Sequence, residues 1–315
     1  MFTTPRIVTV TVNPALDITT STEVVRHTSK VRCGSVRHDP GGGGINVARV
    51  AHVLGARATA VCALGGHTGA LLAELLEAEG VPYEAVRIAG LTRESLTVDE
   101  TSTGRQYRFV LPGPALSEDE QQRLLRRLRT AADGAAVVVA SGSLPPGVPA
   151  DFYQRVAELC TETGARLVLD SSGGGLAHVH GAYLVKPSRR ELAEYVGRDL
   201  ATEADLRAAA HELIDRGVAR VVVASLGGDG ALLATAEGDR RFPAMAVHQV
   251  SAVGAGDAMV AGITVALVRD RPLDDAVRHG IAAASAMLLT PGTAPCRRED
   301  AERLYREIPA GEPLN

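Results

Sequence analysis

Apolar runs of strand length alternate along this chain with segments whose apolar residues recur at helical spacing. Ile7–Val12, Ala58–Leu64, Ala136–Ala140, Arg166–Leu169, Ala182–Val185 and Arg220–Ala224 are each rich in Val, Ile, Leu or Ala, as strands covered on both faces must be. Between them Thr68–Gly80, Ala150–Gly164, Arg189–Val196 and Glu203–Arg216 read as amphipathic helices, several ending at a glycine suited to a C-cap. The pattern predicts one α/β domain, a doubly wound, mostly parallel sheet with helices on both faces. Ligands of such sheets bind beyond the carboxyl ends of the strands. Asp17, Ser141–Ser143, Asp170 and Lys186 all fall at or shortly after predicted strand ends.

Composition narrows the function classes. With 315 residues, 45% hydrophobic content and a net charge of −4, the chain can bury a large core and has no basic excess for nucleic acid. No apolar run reaches the ~18 residues that a membrane-spanning helix needs, and the N-terminus leads into a strand without a signal-peptide pattern. A cytoplasmic protein with no membrane partner is expected. Cys33, Cys62, Cys160 and Cys296 are far apart and suit buried thiols better than a zinc site or a disulfide framework.

Two glycine clusters carry the chemistry. In Ser251–Gly262, Gly254 and Gly256 permit a tight turn with outward amides, and a helix predicted from Ala255 adds the partial positive charge of its N-terminus. That combination holds anionic phosphate. Asp257 falls in the first helical turn beside it, placed to take a proton from a hydroxyl; its alternative use is to complement the helix dipole. Far upstream, Gly41, Gly42, Gly43 and Gly44 precede Ile45–Leu54, which has helical spacing, so amides converge at a second helix start where Asn46 can reach a sugar hydroxyl or a phosphate. Neither a Walker sequence nor a dinucleotide fingerprint is present.

Two stretches, roughly 19–38 and 95–110, break the alternation. Within them Val31–Val36 and Arg105–Leu111 mix charged and apolar residues in near alternation, as short antiparallel strands with one wet face do. They predict a small β-sheet lid.

Five markers fall in one order: Thr11-Val-Asn-Pro-Ala-Leu-Asp17, Gly41–Arg49, Ser141-Gly-Ser-Leu-Pro-Pro-Gly147, Val185-Lys-Pro187 and Val253-Gly-Ala-Gly-Asp257. Through them the chain, over nearly its whole length, resembles the PfkB (ribokinase-like) family of carbohydrate kinases. Asn13-Pro-Ala-Leu-Asp17 looks like the branch that phosphorylates phosphosugars. Pro40–Arg49 and Gln106–Gly113 look closest to the minor-type bacterial 6-phosphofructokinases. The resemblance implies phosphoryl transfer from ATP to fructose 6-phosphate, with fructose 1-phosphate and tagatose 6-phosphate as rival acceptors and a non-catalytic sensor as the alternative of another class.

On that resemblance Asp257 is the base, with the amides of Gly254, Ala255 and Gly256 as the anion hole. Asp17, Gly41–Gly43, Asn46 and Ser143 contact the sugar, although Asp17 and Ser143 also suit plain turns. Arg93 and Arg108, whose guanidinium forks match phosphate oxygens, hold the 6-phosphate, with Lys30 as a third cation. Lys186, Ser188 and the segment Ser225-Leu-Gly-Gly-Asp-Gly230, with Gly227, Gly228 and Gly230, face ATP; an ordinary hairpin turn is the other reading of that segment. Glu191 organises Mg2+ through water, but Ser188 stands where the family carries asparagine. Main-chain oxygens of Ser251, Val253, Thr290 and Gly292 would hold a monovalent cation such as K+. The lid strands imply a homodimer, and pairing would also cover exposed strand edges.

Overall fold

The computed structural model describes residues 6–171 and 174–314. Among them, strands numbered in chain order form two sheets. In the larger, β1 (Arg6–Thr11), β4 (Arg57–Leu64), β5 (Tyr83–Arg87), β8 (Ala135–Ser141), β9 (Arg166–Asp170), β10 (Ala182–Val185) and β11 (Ala219–Ser225) run parallel. Antiparallel β12 (Ala231–Thr235), β13 (Gly238–Phe242) and β14 (Glu312–Leu314) extend it, in the order β14-β13-β12-β11-β10-β9-β8-β1-β4-β5. The smaller sheet has the order β3-β2-β6-β7, from β2 (Ala15–Thr22), β3 (Arg37–Gly41), β6 (Arg93–Glu100) and β7 (Arg105–Val110).

The helices are α1 (Gly43–Val53), α2 (Gly66–Ala78), α3 (Glu118–Ala132), α4 (Phe152–Thr163), α5 (Gly174–Ala177), α6 (Arg189–Val196), α7 (Glu203–Asp215), α8 (Ala255–Leu267), α9 (Leu273–Met287) and α10 (Arg298–Glu307). They cover the large sheet on both faces, and the strands alternate between two cores. Val137 and Val139 pack with Val47 of α1, Val260 of α8 and Val277 of α9. Val138 and Ala140 pack with Leu124 of α3, Val156 of α4 and Leu213 of α7. A side-chain period of two therefore needs apolar residues from Ala135 to Ala140 of β8, before Ser141 ends the strand, and each valine contributes roughly 1.5–3 kcal/mol by leaving water.

Helix ends follow local chemistry. Ser188 and Glu191 form a reciprocal capping box at the start of α6, which stops at Gly197 with φ 70°. The same device, Ser117 with Glu120, starts α3.

The small sheet corrects one expectation. Its central pair, β2 and β6, is parallel, with Ala15 opposite Arg93 and Asp17 opposite Ser95; the outer pairs are antiparallel. Val31–Val36 is not a strand, and Val36 is exposed. Alternation there mimics a strand, but the segment meets β2 only through isolated hydrogen bonds, such as Gly34 N to Ser21 O at 2.8 Å, and forms no ladder. The second lid strand of the first stretch is instead Arg37–Gly41, immediately before α1.

Candidate active site

The connections from β1 diverge at one point of the large sheet, because β1 lies between β4 on one side and β8 on the other. This switch point leaves a crevice beyond the strand ends, where Thr11-Val-Asn13 and Ser141 emerge. The glycine cluster fits into it without side chains. A Cβ at Gly41 would lie 2.2 Å from Asp17 Oδ2, and one at Gly43 would lie 2.2 Å from Ser141 Oγ. The glycines are thus required first by the packing of lid, β8 and α1, which brings the start of α1 to the crevice.

Asn46 then projects from the first turn of α1 and donates through Nδ2 to Asp257 Oδ2 at 2.9 Å; its own Oδ1 is buried without a partner. Asp257 occupies the first turn of α8, whose N-cap is Gly254 in the left-handed region (φ 79°) with no side-chain cap. The helix N-terminus is therefore left to backbone amides. Ser141 Oγ approaches Asp257 Oδ1 at 3.5 Å.

Crowding by protein atoms strips water from the Asp257 carboxylate, and Asp170 adds repulsion. Asn46 and Lys186 oppose these effects, and the result is a pKa raised to about 7. Lys186 is buried and pairs with Asp170 at 3.2 Å. Burial works against its charge, but Asp170, Glu191 and Asp257 together outweigh burial and raise its pKa, so it stays cationic. A Cβ at Gly256 would lie 3.7 Å from Lys186 Nζ, which puts the ammonium beside the N-terminus of α8.

Lys186-Pro-Ser188 lies next to the end of β11. Ser225 N donates to Pro187 O at 2.9 Å, and Ser188 bridges Ser225. The segment after Ser225 is a short 3-10 turn, Gly227–Asp229, leading into antiparallel β12, as the hairpin reading has it. A Cβ at Gly227 or Gly228 would meet nothing within 4 Å, whereas one at Gly230 would strike Phe242 O at 2.0 Å. Gly228 is open to a ligand; Gly230 is required by packing.

Ser188 differs from its expected role. Its hydroxyl accepts from Glu191 N and donates to Glu191 Oε2 at 2.8 Å, so it is spent on the helix cap. Ser188 N also donates to Glu191 Oε2, which leaves Oε1 as the less engaged oxygen of Glu191.

The lid contributes the opposite wall. Asp17 is half-buried, and burial raises its pKa to about 6 against the field of Arg108, Arg93 and Arg49. Arg93 is anchored on Asn13 O at 3.3 Å and on Ser95 Oγ at 3.2 Å. Arg108, on β7 opposite Thr97, is exposed. Ser143 accepts from Asn13 Nδ2 at 3.3 Å. Lys30 lies exposed in the loop between β2 and β3, apart from this group, with no polar contact among the described residues.

The loop before α8 joins the one after α9, as Val250 N and Ser251 N donate to Leu288 O. Thr290 Oγ1 donates to Met287 O and Ala294 O, and Ser251 Oγ accepts from Val253 N. Gly292 adopts φ 60° against Thr19 of the lid. Ser251, Val253, Thr290 and Gly292 thus belong to one connected region.

Three residues contribute more than their sequence context suggested. Ser141 touches Asp257, and Asn13 holds both Arg93 and Ser143. Arg49, fully buried on α1, donates to Glu79 Oε2 at 2.6 Å, to Pro40 O at 2.9 Å and to Thr293 O at 2.8 Å. A charge on the apolar face of a predicted helix was the available signal for Arg49.

Comparison with known proteins agrees with this geometry. Residues 11–300 match the model of the pfkB family carbohydrate kinases. The chain belongs to that family. It is 60% identical over 302 residues to the ATP-dependent 6-phosphofructokinase isozyme 2 of Mycobacterium tuberculosis (strain CDC 1551 / Oshkosh), covering 96% of this chain and 89% of the relative. Phosphofructokinase-2 from Escherichia coli in complex with fructose-6-phosphate superposes with a TM-score of 0.91 at 39% identity, covering 96% of this chain and 99% of the other. The same enzyme in complex with potassium gives 0.92 at 40% identity, with the same coverage.

The raised pKa of Asp257 has a cost in stability. Its folded value of about 7 lies above the ordinary 3.8, so ionisation favours the unfolded chain progressively from about pH 4 to about pH 7, and the penalty stays constant above. Asp257→Asn keeps the hydrogen bond from Asn46 and removes the penalty. Thermal unfolding should show the variant melting about 2–5 °C higher at pH 8, with a smaller gain at pH 5; an unchanged or lower melting point at pH 8 contradicts the burial of this charge.

Proposed function

We propose that this chain transfers the γ-phosphoryl group of ATP to the C1 hydroxyl of fructose 6-phosphate, giving fructose 1,6-bisphosphate and ADP. The observation that carries the reading is the position of Asp257, a carboxylate with a pKa near neutrality at the uncapped N-terminus of α8, beside Lys186. The acceptor is drawn from the relative named ATP-dependent 6-phosphofructokinase isozyme 2 and from the similar enzyme seen with fructose-6-phosphate.

The roles follow from the geometry. Asp257 takes the proton from the C1 hydroxyl as its oxygen attacks the γ-phosphorus and the bond to the β-phosphate oxygen breaks, releasing ADP. Amides of Gly254, Ala255 and Gly256 and the Lys186 ammonium offset the charge of the transferring group. Asn46 and Ser141 hold the carboxylate. Asp17, Gly41–Gly43 and Ser143 face the sugar, and Arg93 with Arg108 bind its 6-phosphate. The β11 end with Ser225, Gly227 and Gly228 takes the nucleotide. Positioning supplies most of the catalysis.

Among the described residues no cluster of three or more acidic, histidine or cysteine ligands could enclose a metal by itself. That suits Mg2+, which is held through one or two carboxylates, waters and substrate phosphates. Glu191, through Oε1, and Asp170 are the carboxylates available to it, and it would neutralise phosphate charge. The loops carrying Ser251, Val253, Thr290 and Gly292 are the proposed monovalent cation site, supported by the similar enzyme in complex with potassium.

No helix among the described residues is long and apolar enough to cross a membrane. We place the enzyme in the cytoplasm, where its substrates are made.

Initial rates with Mg-ATP on fructose 6-phosphate, fructose 1-phosphate and tagatose 6-phosphate, in potassium and in sodium, test the assignment. Fructose 6-phosphate should have the highest kcat/KM, with faster turnover in potassium. Arg93→Ala should raise its KM about tenfold or more while leaving KM for ATP within about twofold. Preference for another acceptor would reassign the substrate, and a matching rise in both KM values would remove Arg93 from the phosphate.

The lid also supports a homodimer. Phe109, Val110 and Leu111 at the end of β7 are 51%, 62% and 50% exposed, and β7 is an edge strand. Sedimentation at micromolar concentration should show dimers for the wild-type chain and mainly monomers for Phe109→Asp. A monomeric wild type, or a variant that stays dimeric, contradicts pairing through the lid.

A further inference from the structure

A cavity of about 290 Å3 lies between α8, α9 and α10, away from the substrate crevice. Arg269, two residues beyond the end of α8, is roughly 18 Å along the helix axis from Asp257 at its start. Three guanidiniums, of Arg269, Arg298 and Arg306, line the cavity against the single carboxylate of Glu302. The chain as a whole is acidic, at −4, so this cationic concentration is local.

All three arginines reach solvent, and two of them converge. Arg269 donates to Leu54 O at 2.8 Å. A Cβ at neighbouring Gly55 would lie 3.0 Å from Arg298 Nη1 and 3.8 Å from Arg269 Nη2, so both guanidiniums converge over that glycine. Burial lowers the pKa of Arg269, and Arg298 and Arg271 lower it further against the opposing charge of Glu302.

Arg298 opens α10, whose N-cap Arg297 offers no side-chain cap; Glu299 and Asp300 complement the dipole in that first turn, and Arg298 pairs with Glu302 at 2.7 Å. The floor is apolar, with Val265 of α8 and Ala282 of α9. One wall is His279 stacked on Tyr305, with ring centroids 3.9 Å apart and planes 8° from parallel. The lining is thus mostly charged and polar above a few small apolar residues, which suits a charged ligand.

We propose that this cavity is a second ligand site, taking a small phosphate-bearing anion whose charge is met by Arg269, Arg298 and Arg306. Guanidinium forks match phosphate oxygens, and the short distance between Arg269 and Arg298 suits two oxygens of one group or of adjacent groups. Glu302, bonded by Arg298 Nε at 2.7 Å, holds that arginine in place.

Pyrophosphate is the probe. Titration calorimetry would be run on the full chain at fixed ionic strength, with the substrate crevice saturated by fructose 6-phosphate and a non-hydrolysable ATP analogue. One further site per chain should appear, weakened about tenfold or more by Arg298→Ala and by Arg306→Ala, with turnover within about twofold of wild type in both. Arg298 and Arg306 are exposed, so neither change should disturb folding, and melting points report it directly. Absence of the further site, or a site of equal affinity in wild type and both variants, overturns the proposal.

Discussion

A carboxylate kept poor in water at the start of a helix is the constraint around which this molecule is arranged. Asp257 can be held there only if a hydrogen-bond donor faces it and a cation lies nearby. Asn46 meets the first need from α1, and Lys186 the second from the end of β10. Each partner brings its own requirement. Asn46 reaches Asp257 because Gly41 and Gly43 let the chain pass against Asp17 and Ser141. Lys186 can remain charged while buried because Asp170 pairs with it. The glycines, the strand-end carboxylates and the switch point of the sheet therefore belong to a single electrostatic arrangement.

Much of this was legible in the sequence because it depends on periodicity and on residue types with few alternative uses. Buried parallel strands such as β8 must be apolar until their carboxyl ends, and Arg189–Val196 was legible as α6 from its amphipathic spacing. Asp257 and Lys186 stood out because each falls inside one of the ordered markers, at a glycine turn or a strand end, although Asp257 alone also suited the helix dipole.

What sequence alone could not give was pairing between distant segments. The parallel register of β2 with β6 depends on contacts across more than the local pattern, and Val31–Val36 alternates yet meets β2 only at isolated hydrogen bonds. The roles of Asn13 and Ser141 were hidden because both lie inside motifs whose turn-forming residues explain them equally well. Ser188 shows the converse. A residue assigned to the nucleotide is spent on a helix cap, and by fixing Glu191 it acts on the site at one remove.

The proposed role of Asp257 requires it to lose its proton, and its surroundings set the pH at which it does so. The most direct measurement is kcat/KM for fructose 6-phosphate from pH 5.5 to pH 9 at saturating Mg-ATP and constant ionic strength. Because the free carboxyl ionises near pH 7, the account predicts a plateau above that pH and a fall of about tenfold per pH unit below it. In Asn46→Ala, loss of a hydrogen bond that favours the charged form should move the break to higher pH. A profile flat down to pH 5.5, or a break unmoved in Asn46→Ala, would contradict the account.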